Sequence, residues 1–211
     1  MNNTFKDLHE HSFLSDLFSN LDNFKDDLLN KKSPRLIVNM PPRHLKTRTL
    51  ALGFPLFLES FKKLKIAVFT HNYPNSCYLK NISLEISEYN EVYYYFIGHE
   101  IEKEKFDLII IDDPFYFYSA YKCEYINNYV SNLLNKNLNK NGGFILVESR
   151  YSVNDLTSYL LKNYNDFKLL KYRALDIADQ HFSLEHFHRI KNNCRQIFES
   201  LYQQEPVCEE K

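Results

Sequence analysis

The chain has no tryptophan, two methionines and only four glycines in 211 residues. So little glycine excludes a collagen-like or glycine-linker architecture, and each glycine that remains becomes informative. The four cysteines, Cys77, Cys123, Cys194 and Cys208, have no C-x-x-C spacing. That excludes a disulfide framework and a zinc ribbon, and they read as reduced thiols in a cytosol. Charge of one sign is also missing: 26 basic side chains face 27 acidic ones. A general basic face is therefore excluded, and any grip on nucleic acid must come from a local patch or from partner subunits. Lys62, Lys63 and Lys65 form one such patch and the stretch from Lys136 to Lys140 another, although both also read as solvated loops. No apolar run approaches the roughly 20 residues of a bilayer crossing, and the amino terminus is polar and Asn-rich. The expectation is a cytoplasmic protein with neither signal peptide nor membrane contact. His186 and His188, two apart on an expected helix, point away from each other, so with His181 they make a poor zinc site.

What is present fits one globular α/β chain, with 44% hydrophobic and 25% charged residues. Leu8 to Leu29 carries Phe13, Leu17, Leu21, Phe24 and Leu28 at helical spacing, and Ser33-Pro34 ends that helix. Strands and helices then alternate. Arg35 opens a strand, Thr47 to Ser60 is a helix weakened by Gly53 and Pro55, and Leu64 to Thr70 is a strand. Asn75 to Tyr89 is a helix, Phe106 to Ile111 a strand, and Tyr121 to Leu138 a helical connection closed by an Asn141-Gly142-Gly143 turn. Gly143 to Glu148 and Phe167 to Leu175 are strands, and Ser183 to Tyr202 is a closing helix. Such alternation predicts a mostly parallel sheet with right-handed crossovers and helices on both faces, a three-layer sandwich. The aromatic runs Tyr93 to Phe96 and Phe115 to Tyr118 read as core filling beside strands and turns.

Three strand ends carry the chemistry. After the first, Pro41-Pro42-Arg43-His44-Leu45-Lys46-Thr47 places an ammonium beside a hydroxyl at a helix start. A phosphate-binding loop uses that combination: lysine on the β- and γ-phosphates, hydroxyl on Mg²⁺, backbone N–H groups toward the anion. Met40 and Leu45 stand where such a loop has its glycines. After the second strand, Asp112-Asp113-Pro114 puts two carboxylates side by side, an arrangement a cation relieves. After the third, Ser149-Arg150 lies on a strand-to-helix turn, with Ser152 and Asp155 spaced as a capping box. A hydroxyl and a guanidinium there are placed to sense a γ-phosphate.

Together these segments, with Tyr202-Gln203-Gln204 and Pro206, resemble the ATPase domain of the large terminase subunit, the motor that packages DNA in tailed bacteriophages. The likeness runs from about Arg35 to Pro206. It implies a P-loop NTPase sandwich with residues 35–180 as ATPase core, 1–34 as a preceding helical segment and 181–211 as a closing one. It also implies that the Ser149 strand lies between the lysine-loop strand and the acid strand. The resemblance carries ATP and magnesium as cofactors: Pro42, Arg43, His44, Leu45, Lys46 and Thr47 around the phosphates, and Thr47 with Asp112 on the metal. Lys46, Asp113, Ser149 and Arg150 would take the catalytic roles, Asp113 acting on the attacking water.

Double-stranded DNA, a portal protein, a small terminase subunit and a homo-oligomeric ring are the implied partners, and a bacterial host cytoplasm the implied location. Leu45 departs from the family's glycine, the stretch holding Tyr93 to Phe96 is short, and no family nuclease domain follows before Lys211. The expectation is therefore no DNA cutting. Two readings stay open, a working packaging ATPase and a catalytically impaired prophage remnant that binds DNA or protein.

Overall fold

A computed structural model describes residues 12–86, 91–115, 120–177 and 183–206. Helix α1 (Ser12–Leu29) is followed by strand β1 (Arg35–Asn39), a π-helical stretch Thr47–Gly53 and α2 (Phe54–Glu59). Then come β2 (Ile66–Thr70), α3 (Tyr73–Ile86), β3 (Val92–Phe96), β4 (Phe106–Asp112), α4 (Ala120–Asn132) and a second π-helical stretch, Leu133–Asn137. β5 (Leu138–Glu148), α5 (Leu156–Asn163), β6 (Lys168–Lys171), α6 (Leu184–Asn193), α7 (Arg195–Ile197) and a π-helical Phe198–Tyr202 complete the order. The expected beginning of the first helix at Leu8, the end of the third at Tyr89, most of the Phe115 to Tyr118 run, His181 and Cys208 lie outside the described residues.

The strands form one sheet in the order β3-β2-β4-β5-β1-β6, and every pairing is parallel. β5, the Ser149 strand, does lie between β1 and β4. Alternation along each strand builds the two sides. Leu36, Val38, Ile66, Val68, Leu108, Ile110, Ile145 and Val147 pack with α1, α2 and α3. Ile37, Ala67, Phe69, Ile109, Ile111, Phe144 and Leu146 pack on the other face with α4 and α5. A smaller cluster of Ala174, Phe187 and Phe198 holds the carboxy-terminal helices. Among the described residues no helix is long and apolar enough to cross a membrane. Cys77, Cys123 and Cys194 are free thiols.

Several sequence expectations are corrected. Tyr93 to Phe96 is a strand, β3, paired in parallel with β2, because its tyrosines suit a half-exposed edge. Asn141-Gly142-Gly143 is not a turn but part of β5, where the ladder to β4 shifts register between Phe106 and Leu108. The helix after the phosphate loop is π-helical at first: the Phe54 N–H bonds the Thr49 carbonyl five residues back, and Pro55 brings no N–H to restore ordinary spacing. The closing helix breaks at Cys194, whose extended backbone separates α6 from α7. The last strand is also shorter than Phe167 to Leu175, spanning Lys168–Lys171.

The glycine pair in β5 has a steric reason. A Cβ at Gly143 would sit 2.8 Å from the Phe24 ring and 3.1 Å from Leu28 of α1, and one at Gly142 would lie 3.0 Å from the Asp107 carbonyl. α1 is seated on the sheet through this gap. Gly143→Val should therefore lower stability by about 1–3 kcal/mol through overpacking, read as a reduced urea midpoint. An unchanged midpoint would mean that α1 does not pack there.

Candidate active site

The carboxyl ends of β1, β4 and β5 lie side by side, so the polar residues that follow each strand are brought to one rim. Lys46, only 5% exposed, is the centre. Its Nζ lies 2.8 Å from Asp113 Oδ2, donates to the Met40 carbonyl at 3.3 Å and also donates to Ser149 Oγ. Ser149 Oγ donates to the same Met40 carbonyl at 3.1 Å, while the Ser149 N–H donates to Asp113 Oδ1 at 3.0 Å. Thr47 Oγ1 donates to Asp112 Oδ2 at 2.8 Å. All five residues picked from sequence for ammonium, hydroxyl and carboxylate chemistry thus meet.

The lysine loop takes left-handed backbone twice, at Arg43 (φ 65°) and Leu45 (φ 62°). Leu45 therefore occupies a conformation natural to glycine, at a cost of about 1–2 kcal/mol. Its side chain is 47% exposed, which lets the backbone keep the loop shape without forcing the isobutyl group into the core. Arg43 is exposed and Pro42 partly so. His44 does not stand open to a ligand: its Nδ1 lies 2.8 Å from the Pro42 carbonyl and its ring stacks on Phe187 of α6.

Arg150 sits on the expected turn, but its guanidinium is held by α5. Nε donates to Asp155 Oδ2 at 2.7 Å and a terminal nitrogen donates to Ser158 Oγ at 2.7 Å. Asp155, fully buried, is itself the N-cap of α5, accepting from the Ser158 N–H at 3.1 Å. The capping box expected from Ser152 is thereby corrected: the cap lies three residues later, and Ser152 Oγ accepts from Asn154 N–H instead.

The sequence does not single out Asn39, Glu148 and His71 as site residues, whereas Gln204 belongs to the Tyr202-Gln203-Gln204 segment of the resemblance. Asn39 and Glu148, the last residues of β1 and β5, are paired in register and fully buried. Asn39 Nδ2 donates to Thr157 Oγ1 at 2.9 Å, and Glu148 Oε1 accepts from the Thr157 N–H at 2.8 Å. Burial, reinforced by Asp155, pushes the Glu148 carboxyl well above the usual carboxylate range. Gln204, buried with φ 58°, accepts from the Arg150 N–H at 3.0 Å and ties the carboxy-terminal segment to the same turn. His71, after β2, is near enough to feel Asp113, although desolvation is the larger influence and lowers its pKa. A polar residue ending an apolar strand was the available clue for Asn39 and Glu148.

The donor set fits a hard divalent cation. Asp112 is buried, its Oδ1 has no hydrogen-bond partner among the described residues, and its other oxygen accepts from Thr47. One carboxylate, a hydroxyl and a second carboxylate nearby suit magnesium, which completes its shell with phosphate oxygens and water. No cluster of three or more His, Cys, Asp or Glu side chains able to hold a metal occurs among the described residues.

No family model and no curated protein matches the sequence. Solved structures do match. The large terminase of a thermophilic bacteriophage, in complex with ADP, superposes over 86% of this chain with a TM-score of 0.53 at 9% identity. The fold is that of a phage large terminase. The chain spans 52% of that terminase's length. The terminase-like strand arrangement places the three polar strand ends on one rim, and that neighbour's bound ADP shows that a protein of this fold holds a nucleotide.

Asp112 makes a pH dependence. Desolvation first, then the charge of Asp113, push its carboxyl up to about 7 from 3.8, against smaller opposing effects of Thr47 and Lys46. At Asp112 the folded chain then binds more protons than the unfolded one between those values, so this group's contribution to metal-free stability falls as pH rises from about 4 to about 7 and levels off above. Asp112→Asn should remove that slope and be more stable than the parent at pH 8 by a few kcal/mol, on the order set by a shift of this size. Urea midpoints at pH 5, 6 and 8 test it, and parallel profiles for the two proteins would sink the assignment.

Proposed function

We propose that this chain binds and hydrolyses ATP with magnesium, as the nucleotide-driven part of a terminase that moves duplex DNA into a procapsid. The observation that carries the reading is the convergence of Lys46, Thr47, Asp112, Asp113 and Ser149 on one rim of a terminase-type sheet. Residues 35–180 would form the ATPase core, flanked by helical segments 1–34 and 181–211. The bacterial cytoplasm is the proposed place of action. A portal protein, a small terminase subunit and a ring of like subunits are the proposed partners.

Each residue's role follows from its contacts. An entering triphosphate competes with Asp113 for the Lys46 ammonium, because both are anions and the lysine carries one charge. Once Lys46 turns to the β- and γ-phosphates, Asp113 loses its strongest partner and gains an oxygen with which to orient and deprotonate water for in-line attack. Thr47 and Asp112 would hold Mg²⁺, which when bound neutralises charge on the phosphates. Ser149 bonds Lys46 and Asp113 at once, so it registers whether the phosphate is present. Arg150, fixed to Asp155 and Ser158, hands any shift of that turn to α5. Pro42, Arg43, His44 and Leu45 complete the loop, with Arg43 the exposed cation beside it.

A second reading is favoured by one observation, the left-handed Leu45 beside a lysine already neutralised by Asp113. In it the fold persists as a remnant that binds DNA or protein without turnover. Titration of MgATP together with phosphate release separates the two. The ATPase reading expects measurable release by the parent, a loss of at least about 100-fold in Lys46→Ala, and tighter nucleotide binding in Leu45→Gly, where no side chain stands between the loop backbone and the phosphates. Release by Leu45→Gly alone, with none from the parent, establishes the remnant.

A further inference from the structure

The lysine run Lys62, Lys63 and Lys65 does not act as one patch. Lys63 pairs with Glu91 at 2.7 Å, and Lys65 pairs with Glu104 at 3.6 Å while lying over the Tyr93 and Phe106 rings. Lys62 forms no ion pair among the described residues. It faces Lys31, from just beyond α1, and Lys140, from the start of β5, across a cavity of about 240 Å³ that Leu28, Leu64, Asp107, Asn139 and Asn141 complete. All three lysines are exposed and none has an acidic partner among the described residues. Asp107 is the cavity's one carboxylate, and both its oxygens are occupied, by the Lys65 N–H at 3.0 Å and by Asn139 Nδ2 at 2.8 Å. Three exposed lysines thus line one half-open hollow at the amino-terminal rim of the sheet, the rim opposite Lys46.

We infer that this hollow is an anion site that seats the phosphate backbone of duplex DNA. Lysines act as point charges on phosphate, without the planar match that favours carboxylates for arginine. All three are exposed and the hollow is open to solvent, so the backbone of a duplex can reach them from outside without entering an enclosed cavity. On a chain of net charge −1, three unpaired cations at one place are a local field rather than a general one. Placed opposite the nucleotide pocket, the site can be occupied by DNA while ATP turns over. The inference rests on the proposed DNA partner and adds the surface that holds it.

The test measures binding of a fluorescein-labelled duplex of about 30 base pairs by anisotropy between about 50 and 200 mM salt, the range over which phosphate contacts show their salt dependence. It compares the parent chain, the triple variant Lys31→Ala, Lys62→Ala, Lys140→Ala and the matching triple arginine variant. The alanine variant should bind at least about 10-fold more weakly at the lowest salt, with its log–log salt slope reduced by roughly 2–3, since each neutralised phosphate contributes about 0.9. The arginine variant should bind like the parent. Thermal midpoint and ATP binding should be unchanged in both, which excludes misfolding. Equal affinity and slope for parent and alanine variant overturn the site alone. No duplex binding by the parent overturns both the site and the DNA partner. Displacement of the duplex from the parent by equimolar inorganic triphosphate, persisting in Lys46→Ala, assigns the hollow to a free polyphosphate and overturns the DNA assignment.

Discussion

A buried ammonium must have a partner, and the arrangement of this protein's site follows from how Lys46 finds its own. The amine is held by one carboxylate, one hydroxyl and one carbonyl, drawn from the ends of three adjacent parallel strands. Desolvating a charge costs several kcal/mol, so removing any member leaves a penalty that the fold has to absorb. Strand order matters for the same reason. With β5 between β1 and β4, Ser149 stands between Met40 and Asp113 and can bond both. Another order would move the hydroxyl out of reach of one of them.

The same pairing sets the condition for binding a nucleotide. Lys46 is matched to Asp113, so a triphosphate has to offer more than the carboxylate it displaces. Under the proposed function, polyphosphate with a divalent cation would do so, because it would bring extra negative charge together with a cation for the buried Asp112, whose Oδ1 has no hydrogen-bond partner among the described residues. Leu45 does not block the loop outright: its backbone already holds the left-handed form without a ligand, so the fold bears that strain, and its side chain reaches solvent. A departure that looks disabling on paper becomes a strain of about 1–2 kcal/mol, smaller than the electrostatic exchange at the lysine.

The parallel sheet, the two helical faces and the meeting of Lys46, Thr47, Asp112, Asp113 and Ser149 were legible in the sequence. Unbroken runs such as Phe106 to Ile111 have only one economical place, the middle of a covered sheet, and their polar followers must then stand at its rim. What stayed hidden depends on distant chain. Gly142 and Gly143 have the local chemistry of a turn, and only the approach of Phe24 and Leu28 makes them strand residues. Tyr93 to Phe96 lacks the aliphatic signature of an inner strand because β3 is an edge. The engagement of Arg150 by α5 could not be read either, since it depends on Asp155 moving from an internal helical position to the cap.

Under the proposed function, that engagement would carry a change at the phosphates into the body of the protein. Behind the lysine, Asn39 and Glu148 hold Thr157 at the first turn of α5, and beside them Arg150 and Asp155 hold Ser158. Both sets of bonds begin one residue from groups that touch Lys46: Asn39 precedes Met40, and Glu148 and Arg150 flank Ser149. Glu148 meets the Thr157 N–H through a hydrogen bond in a fully buried setting, where geometry governs its strength, so displacements of β5 act on it directly. Gln204 closes the circuit by fixing the carboxy-terminal segment to the Arg150 backbone. A shift of Lys46 from Asp113 to a phosphate alters the bond to Ser149, and the residues on either side of Ser149 are those that position α5. In the proposed motor, the residues that would sense the phosphate and those that position α5 are therefore covalent neighbours within a single turn.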